Sequence, residues 1–161
     1  MISSSQSGTE PANKKESNML SKVLYQTAAT ATGGRDGYAR TSDGSLNVWL
    51  GLPRELGGVG AGNNPEQLFA AGYAACFLSA MKNVSALSKG AHPKVPDSTK
   101  VTAQVGIGPR DAGGFGLAIS LQVEMPGVER AAAEALVASA HETCPYSNAV
   151  RGNVDVELSL I

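Results

Sequence analysis

Apolar and polar residues alternate with a period of two in four stretches of this chain. Leu46, Val48, Leu50 and Leu52 alternate with Asn47, Trp49 and Gly51, the pattern of a strand with one core-facing side. Val101, Ala103, Val105 and Ile107 do the same, as do Leu117, Ile119, Leu121 and Val123, and finally Val154, Val156, Leu158 and Leu160. The second and third stretches are joined by the glycine-rich residues 108–116, which predicts a hairpin. Residues 22–31 and Tyr38–Thr41 read as two further strands around the loop 32–37, and Ser42-Asp43-Gly44-Ser45 reads as a hairpin turn.

Between these lie two helical patterns. Asn64-Pro65-Glu66-Gln67 carries three start signals: a capping Asn, a Pro at the first helical position and a Gln three residues after the cap. The helix that follows runs to about Leu87 and is apolar on nearly every side, which predicts a central buried helix. Residues 127–143 form the second helix. It must stop at or near Cys144, because Pro145 disfavours helical angles in the residue before it. The predicted order is βββ-α-ββ-α-β: an α+β fold with largely antiparallel sheets and two main helices, not a doubly wound one. Residues 1–20 are polar and aperiodic and read as a disordered tail, leaving 21–161 as a single domain.

Charge narrows the function. The net charge is −1 and no basic stripe is visible, which speaks against nucleic acid as a partner. The longest apolar run, near Phe69–Ala80, is too short to span a membrane. Residues 1–20 lack a basic start followed by an apolar run, so a cytoplasmic location is expected. No phosphate-binding glycine pattern is present and no cofactor is expected.

Two cysteines remain as candidate chemistry, Cys76 in the first helix and Cys144 at the end of the second. A buried free cysteine is most often a small core hydrophobe. Ala133, Val137, Ala140 and Cys144 share one helical face, so both cysteines aim at the core and could meet if the helices pack. A helix C-terminus disfavours a thiolate at Cys144. Burial disfavours one at Cys76 unless a cation is near. Arg35, held among glycines in a strand-to-strand loop, is the best-placed cation, although a solvated turn charge would look the same. Glu66 lies ten positions before Cys76, roughly 15 Å along a helix and on a different azimuth, so it should not touch the sulfur. It could hold an arginine, act from a second subunit, or simply favour the helix N-terminus. His141 and Cys144 have an i, i+3 spacing suited to a metal, but no further ligands cluster nearby, so no metal is expected.

The segments ATATGGRDG (29–37), PRELGG (53–58), NPEQLFAAGYAACF (64–77), GGFGL (113–117) and CPYSNAVRGN (144–153) resemble the organic hydroperoxide resistance (Ohr) proteins of the OsmC/Ohr superfamily. The likeness spans about residues 22–161, in family order. It departs in the loop GGVGAGNN and in the extra tail. The resemblance implies an intertwined homodimer with active sites at its interface. It implies Cys76 as the peroxidatic cysteine and Cys144 as the resolving one. Arg35 would stabilise the thiolate and Glu66 would hold Arg35, within one chain or across the dimer. The implied activity is a thiol-dependent reduction of organic hydroperoxides, with a lipoylated protein or dihydrolipoamide as reductant. Phe77, Met81 and Phe115 are candidate pocket residues. A small-ligand-binding protein with inert cysteines and a redox sensor that does not turn over are the rival readings.

Overall fold

A computed structural model describes residues 20–161. The expected tail therefore falls, except for Leu20, outside the described residues. The first three strands, β1 (Ala29–Thr32), β2 (Gly37–Thr41) and β3 (Asn47–Leu50), form an antiparallel meander. The β1–β2 turn is possible because Gly33 and Gly34 take left-handed φ values of 71° and 61°. A side chain on Gly37 would strike the Thr32 carbonyl, so the turn closes tightly and holds Arg35 at its tip. The predicted strand over 22–31 shrinks to Ala29–Thr32, because residues before Ala28 find no partner strand. Leu24 and Tyr25 in that stretch are 88% and 78% exposed.

Helix α1 (Pro65–Leu87) begins with the full capping box. Asn64 accepts from the Gln67 N–H and the Gln67 side chain accepts from the Asn64 N–H. Tyr73, Phe77, Ala80 and Met81 form its buried stripe. The helix is less enclosed than its composition predicts, for Ala71, Ala75, Ser79 and Ala86 stay exposed on the other side. Apolar composition alone does not say how many faces are covered.

The second sheet has the order β4-β5-β6, with β4 (Lys100–Pro109) antiparallel to β5 (Phe115–Glu124) and β6 (Val156–Leu160) parallel to β5. The sheets are thus largely antiparallel, with one parallel pair. Ile119, Leu121 and Val123 point into a core shared with α1 and with α2 (Arg130–Thr143). The α2 start falls three residues later than predicted. Gly127 turns with φ of 78°, and the Glu129 carboxylate then caps Ala131 and Ala132. Cys144 ends α2 in an extended conformation, as Pro145 demands. A third helix, α3 (Pro145–Val150), follows at once. It adds to the two predicted helices, and the α+β class stands. No helix among the described residues is long and apolar enough to cross a membrane.

Candidate active site

Cys76 sits midway along α1 and Cys144 at the break between α2 and α3. Their sulfurs lie 3.6 Å apart with both thiols free. Cys144 has no exposed surface, whereas Cys76 is only half-buried. Exposure therefore distinguishes the two more firmly than helix ends do. Cys144 both closes α2 and opens α3, so two helix dipoles oppose each other there.

Burial pushes the Cys76 thiol up from its ordinary range, and the neighbouring Cys144 adds to the rise. The backbone N–H of Tyr146 works the other way. Around the sulfurs stands an aromatic cluster. Phe69, Tyr73 and Tyr146 have ring centroids 5.7–5.9 Å apart. Tyr146 approaches α1 at Gly72, where an added Cβ would come within 3.0 Å of the phenol oxygen. Tyr73 and Ser147, both fully buried, share a 2.8 Å hydrogen bond. Arg151 then ties the region down, donating to the His141 carbonyl at 2.8 Å and to Glu142 at 2.7 Å.

Arg35 and Glu66 form a second pair. The guanidinium donates to both carboxylate oxygens, at 2.7 and 2.5 Å. This bond holds the Glu66 carboxyl below its usual range and raises Arg35 further. Beside Arg35 a cleft of about 520 Å³ opens, walled by Trp49, Leu50, Leu52 and Val59. The chain thus brings together Cys76 with Cys144, and Arg35 with Glu66. No hydrogen bond or ion pair among the described residues links the two pairs, Arg35 is not among the groups acting on Cys76, and Cys76 does not wall the cleft.

The expected pocket residues divide differently. Phe77 and Met81 are wholly buried in the core, because they follow Tyr73 at four-residue steps on the stripe facing the sheet. Phe115 is 71% exposed at the start of β5. Tyr73, Tyr146, Ser147 and Phe69 are the neighbours that sequence reasoning missed. The available signal was the matched i, i+3 spacing of Tyr73 with Cys76 and of Cys144 with Ser147. His141 stacks obliquely near Phe77 with centroids 6.5 Å apart, and its Nδ1 has no partner among the described residues. Among the described residues no three His, Cys, Asp or Glu side chains cluster as metal ligands.

An OsmC-like protein family model matches residues 58–159. An organic hydroperoxide resistance protein of Xanthomonas axonopodis pv. citri is 54% identical over 86% of this chain and 96% of its own length. The crystal structure of an organic hydroperoxide resistance protein from Legionella pneumophila superposes with a TM-score of 0.79 at 50% identity, over 86% of this chain and 98% of that one. One from Elizabethkingia anophelis gives 0.79 at 46% identity, over 86% and 97%. The chain belongs to the OsmC-like family and, within it, to the organic hydroperoxide resistance proteins.

Proposed function

We propose that this chain defends against organic peroxides as a cysteine-based peroxidase, with residues 21–161 as its working unit. The observation that carries the reading is the thiol pair, with one cysteine half-buried and the other fully buried in contact with it. The Cys76 thiolate attacks the distal oxygen of ROOH. The O–O bond breaks, the alkoxide takes a proton and leaves as alcohol, and Cys76 becomes a sulfenic acid. Cys144 sulfur then forms the S–S bond, the sulfenic S–O bond breaks, and the oxygen leaves as water. A dithiol reduces the disulfide by exchange at Cys76, the less buried of the two cysteines. The family resemblance makes that dithiol a lipoyl group, on a protein or as dihydrolipoamide, in a reducing compartment such as the cytoplasm.

The cation for the thiolate comes from a second copy of the chain. Among the described residues of one chain no cation acts on Cys76, while Arg35 stands oriented by Glu66 beside an apolar-walled cleft. These halves are complementary. The exposed Leu24, Tyr25, Trp49 and Val59, together with the open face of α1, supply apolar surface for a homodimer interface. The organic tail of the substrate lies against Phe69 and Tyr146, which are reachable, rather than against Phe77 and Met81. Apolar contact of that kind favours alkyl and fatty-acid hydroperoxides over hydrogen peroxide.

Steady consumption of tert-butyl hydroperoxide with dihydrolipoamide tests this reading, and turnover separates it from a sensor or a ligand carrier. Rates at least several-fold lower with hydrogen peroxide are expected. Equal rates would refute the apolar-tail part, and no turnover with any dithiol would refute the enzyme.

A further inference from the structure

Beside the packing of the Tyr146 ring, two donor–acceptor side-chain contacts join α1 to the segment from Cys144 through α3, and they form parallel rungs. One is Cys76 with Cys144; the other is Tyr73 with Ser147. Tyr73 stands three residues before Cys76, and Ser147 three residues after Cys144, so each rung is one helical turn from the other. The hydroxyl rung is wholly enclosed. Both residues have no exposed surface, and their oxygens are 2.8 Å apart. A phenylalanine and an alanine would fill nearly the same volume without any polar atom to satisfy. A buried hydroxyl is tolerated only when paired, so this bond prescribes one separation and one rotation of α3 against α1.

That prescription matters for the sulfurs. They stand 3.6 Å apart, and a disulfide closes to about 2.05 Å. Helix α3 has only six residues, and beside this bond the Tyr146 ring, packed on Phe69, Tyr73 and Gly72, is its main hold on α1. A small slide or roll of α3 would carry Cys144 out of line with the oxidised Cys76. We propose that Tyr73 and Ser147 are positioning residues for the resolving step. They keep Cys144 aimed at the Cys76 sulfenic acid, and so set the peroxide level at which Cys76 over-oxidises.

The proposal rests on the reading of Cys76 as attacker and Cys144 as resolver. Two reactions compete for the sulfenic acid. In one, the Cys144 sulfur bonds to Cys76 and water leaves. In the other, a second hydroperoxide transfers its oxygen to the Cys76 sulfur, giving sulfinic acid and a second alcohol. Loosening the hydroxyl rung slows the first without touching the groups that act in the second.

The test uses the full chain as Tyr73→Phe, Ser147→Ala and the double variant. Rapid quench after one equivalent of tert-butyl hydroperoxide gives the rate of disulfide formation. Mass spectrometry under excess peroxide gives the sulfinic fraction, and a melting curve gives stability. Each single variant leaves one buried hydroxyl unpaired and should melt lower, whereas the double variant removes both and should recover. Disulfide formation should be slower by roughly three- to tenfold in all three, the kinetic counterpart of one ordinary hydrogen bond. The sulfinic fraction should rise in step. Rates within twofold of wild type in all three variants would overturn the proposal. So would a double variant that regains the wild-type rate along with its melting temperature, since the bond would then be merely structural. Failure of the wild type to form a Cys76–Cys144 disulfide would overturn the peroxidase reading as well.

Discussion

Cys144 donates towards Cys76 across 3.6 Å, from a position with no exposed surface to one that solvent reaches. The contact exists with both thiols free, so on the proposed reading the partner for an oxidised Cys76 sulfur would already be in place. Closing the bond asks for a movement of about 1.5 Å, within the reach of a side-chain adjustment. Removing Cys144 should therefore leave the first step and abolish the second. Cys144→Ser should react once with tert-butyl hydroperoxide at near the wild-type rate. It should then accumulate a dimedone-reactive sulfenic acid and pass to sulfinic acid. A Cys144→Ser variant that turns over at the wild-type rate with dihydrolipoamide would remove Cys144 from the scheme.

Arg35 should govern the acidity of Cys76 only through the assembled protein. Alone, Cys76 is held up by burial and by Cys144. In Arg35→Ala the thiol should titrate roughly 1–3 pH units higher than in the wild type, the range expected when a cation is removed from beside an ionisable group. Glu66→Gln should move it in the same direction by less, since the arginine remains but loses its anchor. The pH dependence of Cys76 alkylation in a Cys144→Ser background measures both. An unchanged midpoint in Arg35→Ala would exclude the arginine from thiolate stabilisation.

The apolar surface left open by one chain should be closed by another. Wild type should sediment as a dimer, and Leu24→Glu with Tyr25→Glu should shift it towards monomer at micromolar concentration. Both side chains stand nearly free and neither touches a sulfur in this structure. Peroxide reduction should fall with the dimer fraction, because Arg35 and Cys76 would then be parted. A wild-type monomer with full activity would contradict the assignment of Arg35 to a second copy.

Much of this was legible from residue pattern. The α1 start follows from Asn64, Pro65 and Gln67, whose signals are local and physical. The end of α2 follows from Pro145 in the same way. The β4 and β5 alternations mark their buried faces directly. What stayed hidden depends on partners distant in the chain. Residues 22–27 have strand-like composition but no partner strand among the described residues. Helix α3 is too short for a periodic signal, although Pro145 at its first position was a cue. Phe77 was read as pocket because sequence does not show which side of α1 meets the sheet. The buried Tyr73–Ser147 bond joins residues 74 positions apart, beyond any local pattern.

His141 should make the fold acid-sensitive. Burial keeps its folded-state pKa below the ordinary value, the Arg151 charge adds to this, and Nδ1 has no partner among the described residues. A depressed histidine contributes its stability above the unfolded-state pKa, near 6.5, and loses it as pH falls through the lower folded value. The melting temperature should therefore drop as pH falls below about 6.5. His141→Leu should flatten that drop, and an equally steep fall in the variant would assign it elsewhere. Glu66 acts only at lower pH, since Arg35 holds its carboxyl below the usual range.

The central claim is that Cys76 is the atom that meets the peroxide. The direct measurement is consumption of tert-butyl hydroperoxide with dihydrolipoamide by wild type and by Cys76→Ser, with peptide mapping of the oxidised protein. Wild type should turn over and yield a Cys76–Cys144 disulfide, and Cys76→Ser should consume no peroxide above the uncatalysed rate. Retained peroxide consumption by Cys76→Ser would contradict the account.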